Sequence, residues 1–414
     1  MMNRRHFLKT SSLLAAAPMV PGFIANTARA AEVGKETVLV ILEMTGGNDG
    51  LGMVGPVKDD DYLKNRPTLA IRTNTGIKLT DELYLNPGLR GFTQLIQEGQ
   101  VSVVQGVGYP NPDRSHFESM DRWQAGEPGP KVGGIGWLAR SVPDLQKGAD
   151  GGVPVMHIGS EKLPLACRGT TQGIFTINQD QPFELKLGQP GTAQEKARKK
   201  LLEDLAAGSD SQVDAPGPLL SFVQKRHLQT YSSVEKLKEV LKETNNPNMG
   251  YQPNSLFIKM DLITKLIQKG FGTRVFYLAI NGFDTHSGQS APHQALLQQI
   301  GDSCQNMFTR LKQSGDDQRV LFMTYSEFGR RVKENGSAGT DHGAASNLFV
   351  VGPGVKGGAV GKHPSLTDLD DGDLKHHTDF RQVYATLLDE WLKVDSKTVL
   401  HEKFSHIDLL KKRG

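Results

Sequence analysis

A series of unbroken apolar runs, spaced by helical patterns, most constrains what this chain can become. Thr37 to Leu42 reads TVLVIL, Val101 to Val107 reads VSVVQGV, and Arg274 to Ile280 reads RVFYLAI. Further runs start at Val153, Val320 and Leu348. A run without polar alternation suits a strand covered on both faces, which a parallel sheet requires. Between them lie segments with apolar residues at helical spacing, such as Leu296, Leu297, Ile300, Met307 and Leu311, and a closing amphipathic segment from Asp379 to Leu392. The alternation predicts a three-layer α/β/α domain with a mostly parallel sheet.

One stretch departs from this pattern. From about residue 190 to 267 the chain is charged, poor in strands and helical in character, and Asn245 to Asn254 resembles a return linker. It reads as a helical insertion in one domain spanning residues 31–414. Residues 1–30 read as an export signal: NRRHFLK at Asn3 to Lys9 has the paired arginines of the twin-arginine type. Ala28-Arg29-Ala30 offers small residues for cleavage, and Pro18 and Pro21 break the apolar run before it could form a stable membrane span. The expected location is the periplasm or outside a bacterial cell, reached through the twin-arginine translocase. That route carries folded proteins and suits one that loads a metal before export.

The formal charge of +3 over 414 residues is nearly balanced. With no basic stripe interleaved with aromatics, nucleic acid is not an expected partner. The two cysteines, Cys167 and Cys304, leave a disulfide open, and no C-x-x-C motif occurs.

Ligands of open α/β sheets gather beyond the carboxyl ends of the strands. The polar residues of this chain fall there. TVLVIL runs into Glu43 and then Gly46-Gly47-Asn48-Asp49-Gly50, which serves equally as a turn or as a ligand-bearing loop. RVFYLAI delivers Asp284 and His286, two residues apart and so on one side of an extended segment. The run from Val320 leads to Glu327, then Asp341 and His342. Mixed carboxylate and imidazole ligation suits zinc, manganese or iron. Ser115 with Glu118 fits a capping box opening the helix HFESMDRW, and a hydroxyl there is also a candidate nucleophile. Arg330 and Arg331 either grip a phosphate or sulfate or form surface salt bridges. His293 reads as a supporting or a surface residue, and Thr378 as the cap of the last helix.

GGNDGL (Gly46 to Leu51), RSHFESMDRW (Arg114 to Trp123), GFDTH (Gly282 to His286), SEFGRR (Ser326 to Arg331), GTDHG (Gly339 to Gly343) and TDFRQVYATLLDEWL (Thr378 to Leu392) together resemble the exported bacterial family catalogued as domain of unknown function 1501. That family is similar in fold to the alkaline phosphatase and sulfatase superfamily. The resemblance implies a one- or two-metal centre with its nucleophile at the N-terminus of the helix after the second strand, a place comparable to that of Ser115. It maps the late metal-binding histidine to His342 and an Asp/His pair to Asp284 and His286. Glu43 stands where that superfamily usually has an aspartate, and Ser326-Glu327 where it has Asp-His.

The leading expectation is an exported, metal-dependent hydrolase of small or polymeric phosphate or sulfate esters. Asp284, His286 and His342 would ligate one metal, and Glu43 or Asp49 with Glu327 and Asp341 would complete a second site. Ser115 would attack while Arg330 orients the oxyanion. The alternative is a non-catalytic envelope protein that keeps the fold for binding or assembly. A dinucleotide-dependent oxidoreductase is disfavoured, because no G-x-G-x-x-G opens a helix after the first strand.

Overall fold

A computed structural model describes residues 36–127, 134–146, 153–159, 162–169, 174–178, 200 and 255–412. The signal segment lies outside the described residues, as does the expected insertion up to residue 254, residue 200 excepted. Its last part, 255–267, falls within a helix packed on the domain.

Nine strands form one sheet: β1 Val38–Thr45, β2 Val101–Gly108, β3 Val155–Ile158, β4 Phe175–Ile177, β5 Val275–Asn281, β6 Val320–Tyr325, β7 Ser346–Val351, β8 Gly358–Val360 and β9 Thr378–Asp379. Their order is β8-β2-β7-β6-β1-β5-β3-β4, with β9 also paired to β2. Every pairing is parallel except those of β7, which runs antiparallel to both β2 and β6.

Side-chain alternation along β1 divides the core into two. Val38, Val40, Leu42 and Met44 join the cluster beneath α3 (Ser255–Gln268) and α4 (Ser290–Ser314). Leu39 and Ile41 join the opposite cluster, with Trp123 of α1 (His116–Ala125), Leu138 of α2 (Trp137–Leu145) and Tyr384 of α5 (Phe380–Thr386). All four labelled apolar positions of the first set and both of the second are fully buried, each worth about 1.5–3 kcal/mol against exposure. This is the three-layer α/β/α arrangement that the apolar runs predict.

One open question closes and one local expectation changes. Cys304 lies in the first cluster and Cys167 in the second, on opposite faces of the sheet, and both are free thiols. Asp379 rather than Thr378 caps α5, in a capping box with Gln382. Among the described residues no helix is long and apolar enough to cross a membrane.

The reversal of β7 positions the site. β6 ends at the carboxyl edge, and residues 326–345 stay along that edge before β7 turns back into the sheet. That loop therefore meets those following β1, β2 and β5.

Candidate metal centre

Four side chains from three loops converge at this edge. His286 Nε2 lies 2.9 Å from His342 Nε2 and 3.0 Å from Asp284 Oδ1. His342 Nε2 is 3.3 Å from the same oxygen. His116, the first residue of α1, brings its Nε2 to 3.6 Å from Asp284 Oδ2. Ligand atoms of His116, Asp284 and His342 all fall within 4.8 Å of one another.

The far side of each ring defines its tautomer. His342 Nδ1 donates to the Arg114 carbonyl at 2.9 Å. His116 Nδ1 donates to Glu327 Oε1 at 2.8 Å, and His286 Nδ1 contacts Asp341 Oδ1 at 3.3 Å. Carbonyls and carboxylates only accept, so with a hydrogen on each Nδ1 these three contacts are donated bonds and each Nε2 is free to ligate a cation. In that tautomer three lone pairs and the Asp284 carboxylate face one another, an arrangement that a cation between them would satisfy. Histidines that bind metals are held in this way by a carbonyl or carboxylate on the other nitrogen. Ligands around a tetrahedral zinc, with bonds of about 2.0–2.1 Å, stand roughly 3.3 Å apart, close to the separations within the His286, His342 and Asp284 set. The donor set fits one zinc-like ion.

Electrostatics keep these groups ready to ligate. Burial pushes the Asp284 carboxyl up, but the Arg330 guanidinium at 2.7 Å, helped by His342, wins and holds it below the usual carboxylate range. Burial depresses His342, favouring the neutral ring. Asn335 donates to Asp341 and keeps that carboxyl low.

The structure changes the roles expected for several residues. Glu327 and Asp341 stand behind histidines instead of forming a second metal site. Glu327 is fully buried and also accepts from the Gly46 amide at 2.9 Å and from the Ser326 hydroxyl. Glu43 faces away, into the second core, where Gln124, Tyr277 and Tyr325 donate to its carboxylate and burial raises its pKa. Asp49 is buried and bound by Arg66 and Gln289; burial works against its ionisation, but Arg66 holds its pKa low. Among the described residues these four carboxylates form no second ligand cluster with the histidines.

Arg330 is a buried clamp, its guanidinium already committed to partners within the fold. Its guanidinium donates to the carbonyls of Gly46, Gly47, Phe283 and Thr340 and to Asp284, and it is 1% exposed. It joins the loops after β1, β5 and β6. Ser115 is the N-cap of α1 by position but makes no side-chain capping bond, so the expected box with Glu118 is absent. Its amide donates to Asp113 Oδ1 at 2.6 Å, and the peptide it shares with Arg114 carries the carbonyl bound by His342. The nucleophile candidate is thus one peptide from a ligand ring.

His116 is a candidate ligand that the sequence reading missed. Its signal was its place directly after Ser115, at the end of the loop following β2. His293 is fully buried, bonds Asn48 Oδ1 at 2.9 Å, and is driven by burial down to a pKa of about 4. It supports the Gly-rich loop.

Among solved structures, the chain is similar to a protein in the alkaline phosphatase superfamily from Vibrio parahaemolyticus, at 12% identity and a TM-score of 0.37, covering 88% of this chain and 69% of that one. It is also similar to a sulfatase from Pseudoalteromonas sp., at 11% identity and TM-score 0.40, covering 92% and 74%. A third is the alkaline phosphatase from the Antarctic bacterium TAB5, at 12% identity and TM-score 0.31, covering 77% and 93%. No curated protein matches. The profile described as protein of unknown function, DUF1501, matches residues 102–404, and the chain belongs to that family.

Proposed function

We propose that this protein is an exported, metal-dependent hydrolase of phosphate or sulfate esters, working in the periplasm or outside the cell. The observation that carries the reading is the convergence of three imidazole Nε2 atoms and the Asp284 carboxylate beside the peptide that leads into Ser115. His116, His286, His342 and Asp284 would hold one divalent cation, whether zinc, manganese or iron. When bound, it supplies Lewis acidity and offsets charge developing on the transferred group. Ser115 supplies the attacking hydroxyl at the start of α1, where backbone amides favour an anion. Glu327, Asp341 and the Arg114 carbonyl hold the three rings in the ligating tautomer. Arg330 fixes Asp284 against the loop after β1.

Elemental analysis of folded protein should find about one divalent metal per chain. Aryl phosphate or aryl sulfate turnover should stop on chelation and return with metal. Ser115→Ala should retain the metal and lower kcat by about 10³-fold or more.

One observation favours a non-catalytic envelope role: Glu43 and Asp49 are committed to other partners, so neither is free to hold a second metal. Stoichiometric metal with no turnover of either ester class, in protein shown to be folded, would decide for that role.

A further inference from the structure

Gln289 stands at the N-cap of α4, yet its side chain makes no capping bond. The residue is 1% exposed, and its carboxamide is turned into the fold. Nε2 donates to Asp49 Oδ2. Oε1 accepts from two threonine hydroxyls, Thr285 at 3.0 Å and Thr340 at 2.6 Å. A carboxylate only accepts, so the amino end of the amide has to face Asp49 and the oxygen has to face the threonines. Arg66, itself fully buried, pairs with Asp49 and also binds the carbonyls of Arg331 and Val332.

The two threonines lie among the candidate ligands. Thr285 separates Asp284 from His286, and Thr340 precedes Asp341 and His342. The Thr340 amide also donates to the Thr285 carbonyl at 3.2 Å. One carboxamide oxygen therefore ties the backbone carrying one ligand pair to the backbone carrying the other. Main-chain bonds continue the seam: the amides of Gly288 and Gln289 donate to the carbonyls of Ser337 and Ala338, each at 2.9 Å. Arg330 grips the same two loops through carbonyls and through Asp284 itself. Gln289 grips them through the residues between the ligands.

The ligands need such support. The side chains of Asp284 and His286 are 49% and 46% exposed, so packing around them does not fix their positions. Asp49, Thr285, Gln289 and Thr340 are all buried. There a hydrogen bond to a charged group is strong and directional. A ligating constellation has to be held to within about 0.5 Å, and hydrogen bonds behind it supply that control.

On the reading that this centre holds a divalent cation, and independently of hydrolysis, we propose that Gln289 is a positioning residue of the metal centre. Its carboxamide, oriented by Asp49, sets the spacing between the Asp284/His286 and Asp341/His342 pairs and thereby the affinity for the cation.

Zinc affinity of the full-length protein is measured by competition with a chromogenic chelator, and visible absorption of the cobalt(II)-loaded protein reports the ligand geometry. Gln289→Leu should weaken zinc binding about 10–100-fold and alter the cobalt spectrum. That variant strands the Asp49 carboxylate and risks misfolding, so Thr340→Val provides an independent check. It keeps the shape, removes one hydroxyl and leaves Asp49 paired. Zinc should bind it about tenfold more weakly, whereas Thr340→Ser, which keeps the hydroxyl, should match the parent. In the double variant the two losses should not add, because Thr340 acts through Gln289. Parental zinc affinity and cobalt spectrum in folded Gln289→Leu or Thr340→Val, equal losses in Thr340→Val and Thr340→Ser, or additive losses would overturn the positioning role and leave the metal centre standing. A parent protein that binds no zinc would remove the centre and the role together.

Discussion

At the scale of single residues, the site depends on which atom of each ring carries hydrogen. Asp341 touches no proposed metal ligand atom other than through His286 Nδ1, yet it dictates what His286 Nε2 can do. Asp341→Asn keeps the shape and weakens that control, so metal affinity should fall about 10–100-fold, read by competition with a chromogenic chelator. A fall of similar size is expected for Glu327→Gln through His116. His293 gives a pH signature separate from the metal. Its folded pKa of about 4 lies below the unfolded value of about 6.5. The unfolded chain therefore binds the proton first. Stability from this group is complete above pH ~6.5 and is lost as pH falls towards 4, by about 3 kcal/mol in all. Denaturant midpoints at pH 7 and pH 4.5 should differ less for His293→Gln than for the parent protein.

Among elements, the loops matter more than the strands they extend. The pairs Asp284/His286 and Asp341/His342 were legible in the sequence, because each follows an apolar run whose end lies at a shared sheet edge. The direction of β7 was not, since nothing in NLFVV distinguishes a parallel from an antiparallel neighbour. His116 was missed for a related reason: its orientation depends on Glu327, 211 residues away. The Gly-rich loop after β1 was left open between turn and ligand, and the structure makes it a support. Gly46 has φ +121, and a Cβ there would sit 2.4 Å from the Asp284 amide nitrogen. Gly46→Ala should therefore displace Asp284, costing about 1–3 kcal/mol of stability and weakening metal binding. Unfolding with and without metal separates these effects; full retention of both would show that the loop can relax around the methyl.

For the whole molecule, one sheet with a core on each face holds the loops after β2, β5 and β6 in register, and Arg330 ties the last two to the loop after β1. A metal held by ligands from those loops binds the folded state only. Zinc at 100 times its Kd should add about 2.7 kcal/mol of stability to dialysed protein, seen as a rise in Tm. His342→Ala should abolish most of that rise, whereas Ser115→Ala should leave it. A rise unaffected by removing His342 would place the metal elsewhere.

The sequence alone determined the layering, because unbroken apolar runs have to be covered on both faces, and with it the edge where the chemistry-bearing residues collect. It also carried the family motifs. Only the tertiary structure decided which of those residues ligate and which merely hold others in place. Glu43, Asp49, Glu327 and Asp341 are chemically alike as carboxylates; what separates them is the donor each meets across the fold, a tyrosine, an arginine or a ring nitrogen, and that donor comes from a distant part of the chain.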